Sequence, residues 1–220
     1  KPCGEYAAII GEHHQAAEQF RQAAIWYGRA GRQAATSYAY QEAIYYLDLA
    51  LKFTTRENTP DRFSLVAARE KIHDTQGNRD AQQLDLEQLT LLAANSNASN
   101  QTHVALRQTN YAYIVCNYDL VRIHASAAIE SAQESGDIDL VAEGYWIWGM
   151  AGIRQGQYAS AKERFEMGLA LANAAGERKQ IANCLKGVGV VVAIQGDHVA
   201  ATAYFEQALA IYREIGNQYG

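Results

Sequence analysis

The side chains that could do chemistry in this chain are few, and they do not converge. Glu12, His13 and His14 stand side by side, a set of types that suits a divalent metal. Adjacent residues on a helix point about 100° apart, so the three cannot face one ion together. His14 and Glu18, four apart, share a helical face, but a single pair falls short of the three or four ligands of a zinc site. Exposed polarity is the better account of them. Gly187-Val188-Gly189 invites a dinucleotide-binding turn. The third glycine of that motif falls on Val192, and no strand precedes it, so a packed helix explains the run. Asp137 and Asp139 could pair as acid and base, yet they sit in SGDID, where a carboxylate caps the start of a helix. Asn100-Gln-Thr fits a glycosylation sequon, which carries no information in a cytoplasmic protein. No GxSxG, HExxH or CxxC occurs. These observations point away from an enzyme and away from any metal or cofactor.

The bulk composition agrees with a binding or structural role. The chain has 220 residues, 49% of them apolar, which is enough for a sizeable core. Only two prolines and an abundance of alanine favour helices. A formal net charge of −5 argues against a nucleic-acid partner, which needs a basic face. No apolar run approaches the 18 or so residues of a membrane span, and no signal peptide is visible. Cys3, Cys116 and Cys184 are odd in number and far apart, as suits a reducing, cytoplasmic compartment. The chain begins Lys-Pro-Cys without a methionine, and it reads as a piece of a longer protein.

The elements that must position any site are written as a repeat. GQYASAKERFEMGLALANAAGER (156–178) and GDHVAATAYFEQALAIYREIGNQ (196–218) share glycines, alanines and a phenylalanine at matching places. Taking Tyr158 and His198 as anchors, equivalent positions recur at Tyr40, Arg79 and Tyr118, separated by 39, 39, 40 and 40 residues. A steady period of this size marks stacked supersecondary units. Three and ten residues after most anchors comes a small residue, such as Ala43 and Ala50 or Ala161 and Gly168, with Gln82 and Leu89 as exceptions. Seven after comes a larger one: Leu47, Leu86, Phe165 and Phe205, with Ala125 the weak copy. Offsets of 3, 7 and 10 trace one helical face. Nine before the anchor lies Gly31, Gly149 or Gly189, replaced by Glu70 and Thr109 in the middle copies. A glycine inside a helix costs about 1 kcal/mol relative to alanine, and close contact with a partner helix would offset that cost. GVGVVVAIQG (187–196) has the composition of a strand, but the repeat frame places it on a helix.

The expected fold is therefore all-α: an α-α superhelix of about eleven antiparallel helices with a period near 40. The helices fall at about 4–17, 20–37, 40–54, 61–76, 79–95, 101–115, 118–135, 138–155, 158–175, 178–195 and 198–215. Residues 1–18 form the second helix of a truncated unit. Five pairs follow, at 19–56, 57–97, 98–136, 137–176 and 177–220, all in one domain. The loosest segment is the Asn/Ser-rich 93–102.

The Gly-bearing helix followed by a small–large–small helix resembles the tetratricopeptide repeat (TPR). The match is carried by Tyr145, Trp148, Gly149, Tyr158, Ala161 and Phe165, and again by Gly189, Ala201, Phe205 and Ala208. It is poor where Arg69 and Gln108 stand at apolar places, and the period exceeds the usual 34; HEAT-like repeats are the alternative. The stretch AAIWYGRAGRQAATSYAYQEAIYYLDLAL (23–51) is similar to the sensor repeats of bacterial STAND-type signalling ATPases, MalT-like activators among them. No P-loop or DNA-binding helix-turn-helix is present. The resemblance implies a non-catalytic interaction or effector-sensing module of a regulatory protein. It also implies which positions of each first helix line the groove. These are Asn110 and Tyr113 with His103 and Leu106 in one unit, Trp146, Met150 and Arg154 with Glu143 in the next, and Asn183, Lys186 and Val190 in the last. Such a lining suits a peptide, with an aromatic anchor and Arg or Lys taking a carboxylate. The alternative is a scaffold that self-associates through exposed terminal helices.

Overall fold

The computed structural model describes residues 3–94 and 96–216, with side chains from Tyr6 onward. Eleven α-helices and no strand occur among them. They are α1 (Cys3–Ala16), α2 (Phe20–Thr36), α3 (Tyr40–Phe53), α4 (Thr59–Gln76), α5 (Arg79–Ala93), α6 (Ala98–Ile114), α7 (Tyr118–Ser135), α8 (Ile138–Arg154), α9 (Tyr158–Ala175), α10 (Arg178–Ile194) and α11 (His198–Glu214). The β-branched run that composition alone would make a strand lies inside α10, because Val188, Val191 and Val192 are all buried. The clearest boundary difference is at α6, which starts three residues earlier than the pattern suggests. Asn97 takes an extended backbone, and its side chain accepts from the Asn100 N–H at 2.9 Å. Part of the Asn/Ser run is thus a helix cap rather than loop. Asn95 of that run, and residues 217–220 of the last repeat, lie outside the described residues.

Contacts divide the chain into two compact units, Lys1–Asn95 and Ser96–Gly220. In each, consecutive helices pack side by side. Most turns share one device. A residue with positive φ sits two places before the next helix: Gly77, Gly136, Gly156, Gly176 and Gly196 fill it, while Glu18, Tyr38 and Cys116, the last at φ 59°, do so without being glycine. A side chain in that left-handed region is strained. Cys116→Gly should therefore stabilise the protein by about 0.5–1 kcal/mol, read as a rise in the urea midpoint at unchanged slope.

The small–large pattern of the repeat becomes a set of seams. Phe165 on α9 is fully buried between two glycines: a Cβ at Gly149 on α8, or at Gly187 on α10, would lie 2.6 Å from its ring. Leu47 fills the same place against Gly31, and Phe205 against Gly189. The departures from the pattern are also paired. Glu70 stands where glycine is expected and Gln82 where alanine is. Both are buried, and the Gln82 amide donates to Glu70 Oε1 at 2.8 Å. In the following repeat the glycine place holds Thr109 and the large place holds only Ala125, both fully buried. The hydroxyl of Thr109 donates to the Ala105 carbonyl at 2.7 Å, so its polar atom is satisfied within its own helix. Arg69, at another place expected to be apolar, donates twice to the buried Asp85 and once to Asp48. It thereby ties α4 to both α5 and α3.

Candidate functional site

In the second unit α8 touches both α6 and α10, whereas no comparable contact joins α7 to α9 or α9 to α11. Helices that touch from repeat to repeat form the inner layer, and those held apart form the outer one. α6, α8 and α10 therefore present a continuous inner face. Local chemistry fixes their starts: Asn97 caps α6, and Asp137 caps α8 by accepting from the Leu140 N–H at 3.3 Å. Asp137 thus serves as a cap rather than as half of a catalytic pair.

The eleven residues expected to line a groove all lie on these three helices, although Leu106 is buried in the core. Tyr113 and Arg154 come together, with Arg154 Nε donating to the Tyr113 hydroxyl at 3.4 Å from α8 to α6. Trp146 is half-buried and packs against two core clusters, and Met150 joins one of them. The indole N–H of Trp146 is shielded from solvent and meets no acceptor among the described residues. Asn183 accepts from the Tyr212 hydroxyl of α11 at 2.6 Å, and Lys186 Nζ stands 5.6 Å from the centre of the Tyr212 ring. Asn110 and Val190 are half-buried with no specific polar role. Among these residues Tyr113 and Trp146 are aromatic, and Arg154 and Lys186 are the cations.

Glu143, one turn before Trp146 on α8, is held above the ordinary carboxylate range. Burial is the main cause, Asp139 adds to it, and Lys179 and His103 pull the other way. A carboxyl raised in the folded state contributes stability that is whole below pH 4.5 and is lost as pH climbs through the raised value. Glu143→Gln should therefore melt close to wild type near pH 4 and above it at pH 7, compared in paired thermal scans.

The other candidates disperse. α1 ends at Ala16, and Glu18 lies beyond it at φ 57°, so His14 and Glu18 do not share a helical face. His14 Nδ1 instead pairs with Gln19 Oε1 at 2.6 Å. Among the described residues no three of His, Cys, Asp or Glu are grouped as a metal would need. Burial pushes the Cys184 thiol up to about 12, so it is inert at neutral pH. Cys3 lies outside the described side chains.

The first unit holds a feature that the sequence reading missed. Between α2 and α4 opens a cleft of about 460 Å³, lined by Phe20, Ile25, Phe53 and Leu65 and by Arg21, Arg29 and Arg32. Its signal in the sequence was the spacing of Arg21, Ile25, Gly28 and Arg32 at i, i+4, i+7 and i+11 along one face of α2.

Eleven consecutive helices packed in antiparallel pairs, with glycines in α2, α8 and α10 facing large side chains of the helices that follow them, define the class, an all-α array of TPR-like helix pairs. Residues 140–214 match the tetratricopeptide repeat family. No curated protein sequence matches the chain. Among solved structures, BtubC (BKLC) from P. vanneervenii superposes with a TM-score of 0.77 at 14% identity, covering 99% of this chain and 92% of that one. MamA from Desulfovibrio magneticus RS-1, residues 41 to the end, superposes with a TM-score of 0.65 at 15% identity, covering 90% and 97%. Likeness at this identity speaks to the fold. Among the described residues no helix is long and apolar enough to cross a membrane.

Proposed function

We propose that this chain is a non-catalytic interaction module of a bacterial signalling protein, acting in the cytoplasm, and that the inner face of α6, α8 and α10 takes up a peptide segment. The observation that carries the reading is the Tyr113–Arg154 contact across neighbouring inner helices. It puts residues 41 apart in sequence on one surface, on the same inner helices as Trp146, whose indole N–H has no partner among the described residues. An extended segment with an apolar anchor and a carboxylate fits such a lining. Panning a random peptide library against the full chain should enrich acidic sequences bearing one large apolar residue. Their affinity should fall about tenfold per cation removed in Arg154→Ala and Lys186→Ala. Trp146 is better probed by Phe than by Ala, because its ring also supports two core clusters. No enrichment, or hits indifferent to both cation variants, would refute the reading.

A specific observation favours the alternative, self-association through the last helix. Phe165 is clasped by a glycine on each side, but Phe205 has only Gly189, and it is 38% exposed. Val199 and Leu209 on the same helix are also exposed. Sedimentation equilibrium decides: a dimer that Phe205→Glu abolishes supports this reading, and a monomer at high concentration removes it.

A further inference from the structure

We infer that the cleft between α2 and α4 is a binding site for a small amphiphilic anion, an apolar body carrying one carboxylate or phosphate. The geometry of the two helices creates the space. They meet where Gly28 faces Leu65, a Cβ there lying 3.0 Å from Leu65 Cδ2, and where Arg32 donates to Ser64 Oγ at 2.8 Å. Beyond that contact they part. The connection between α3 and α4 runs over five residues, 54–58, where the turn between α8 and α9 takes three. The opening of about 460 Å³ falls within the roughly 300–1,000 Å³ of small-molecule sites.

Its chemistry is two-sided. At one end the rings of Phe20 and Phe53 stack, with centroids 5.3 Å apart and planes 8° from parallel, and they offer a flat apolar wall. Three arginines, Arg21, Arg29 and Arg32, line it against a single acidic residue, Asp61, whose carboxylate already accepts from the Asn58 amide at 2.6 Å. Arg32 is engaged by Ser64, and Arg29 lies over the Trp26 ring at 4.6 Å. Arg21 meets no acceptor among the described residues, although it lies in the first turn of α2, where the helix dipole disfavours a cation. An unpaired cation in an unfavourable place, beside an aromatic wall and above a cleft, matches a ligand that supplies the missing negative charge. Planar anion recognition by guanidinium supplies orientation, and the rings supply the apolar contact. The site lies wholly within the first unit and is independent of the peptide reading for the second.

The probe is 8-anilinonaphthalene-1-sulfonate, titrated into the full chain by fluorescence. One saturable site is expected. Arg21→Glu, which suits the first turn of a helix and so preserves the fold, should weaken binding about tenfold. Ile25→Trp, which fills the cleft from an exposed position, should abolish it. Glu163→Gln, an exposed position on α9 in the other unit, should change nothing. 2-Naphthoate or 2-naphthyl phosphate should displace the dye and 2-naphthamide should not, and the better of the two anions identifies the headgroup. Equal competition by the amide, or binding within twofold of wild type in both cleft variants, overturns the proposal.

Discussion

Phe165→Ala should destabilise the second unit by about 3–5 kcal/mol, seen as a lower urea midpoint in the emission of Trp146 and Trp148. Phe165 is wholly buried, and its ring sits between backbone that comes close only because Gly149 and Gly187 lack a Cβ. Removing the ring leaves a void bounded by two helices whose backbones already fix their spacing, so the site cannot collapse. The same change at Phe205 should cost about 1–2 kcal/mol, because that ring is more than one-third exposed and has a glycine on one side only. The converse substitution tests the same geometry. Gly187→Ala adds a methyl group 2.6 Å from the ring and should cost about 1–3 kcal/mol despite the better helix propensity of alanine. In combination with Phe165→Ala the two effects should not add, since the methyl then enters the vacated space. Strict additivity would mean that ring and glycine do not share a contact.

Arg69→Met should cost the first unit about 3–5 kcal/mol by leaving Asp85 buried without its main counter-charge. The Asp85 side chain is 4% exposed and receives Arg69 through Nε at 3.1 Å and through a terminal nitrogen at 2.5 Å. His73 Nε2, 3.8 Å away, is a distant substitute. Asp48, which binds the other side of the guanidinium, is 52% exposed, so Asp48→Ala should cost under about 1 kcal/mol. Replacing both buried partners, Arg69→Met with Asp85→Leu, should recover most of the loss. Denaturation followed by Trp26 fluorescence reads all four proteins. A double variant no more stable than Arg69→Met would show that the ion pair itself, and not the orphaned carboxylate, sets the cost.

The regular part of this molecule was legible because its physics is local and repeated. Each glycine nine residues before an anchor, and each large residue seven after it, predicts one helix–helix contact, and Gly31–Leu47, Gly149–Phe165 and Gly189–Phe205 are those contacts. The irregular copies resisted because their compensation is tertiary. Glu70 and Gln82 look like two violations until the structure brings them into one hydrogen bond. Arg69 looks misplaced until carboxylates from two other helices reach it. The proposed groove residues came from the family resemblance, which fixes positions but not orientation. It could not foresee that Tyr212 engages Asn183 and Lys186. The cleft in the first unit depends on how far α2 and α4 stand apart, a distance that no single helix encodes.

The left-handed turn residues of the second unit fall at 116, 136, 156, 176, 196 and 216, twenty apart. Every helix there has nearly the same length, so every hairpin is interchangeable with its neighbour in span. A gene for such a chain can gain or lose forty codons in one recombination event without breaking a helix or misaligning a seam. The length of the inner layer is then a trait that evolution can adjust in whole steps, independently of the side chains displayed on it.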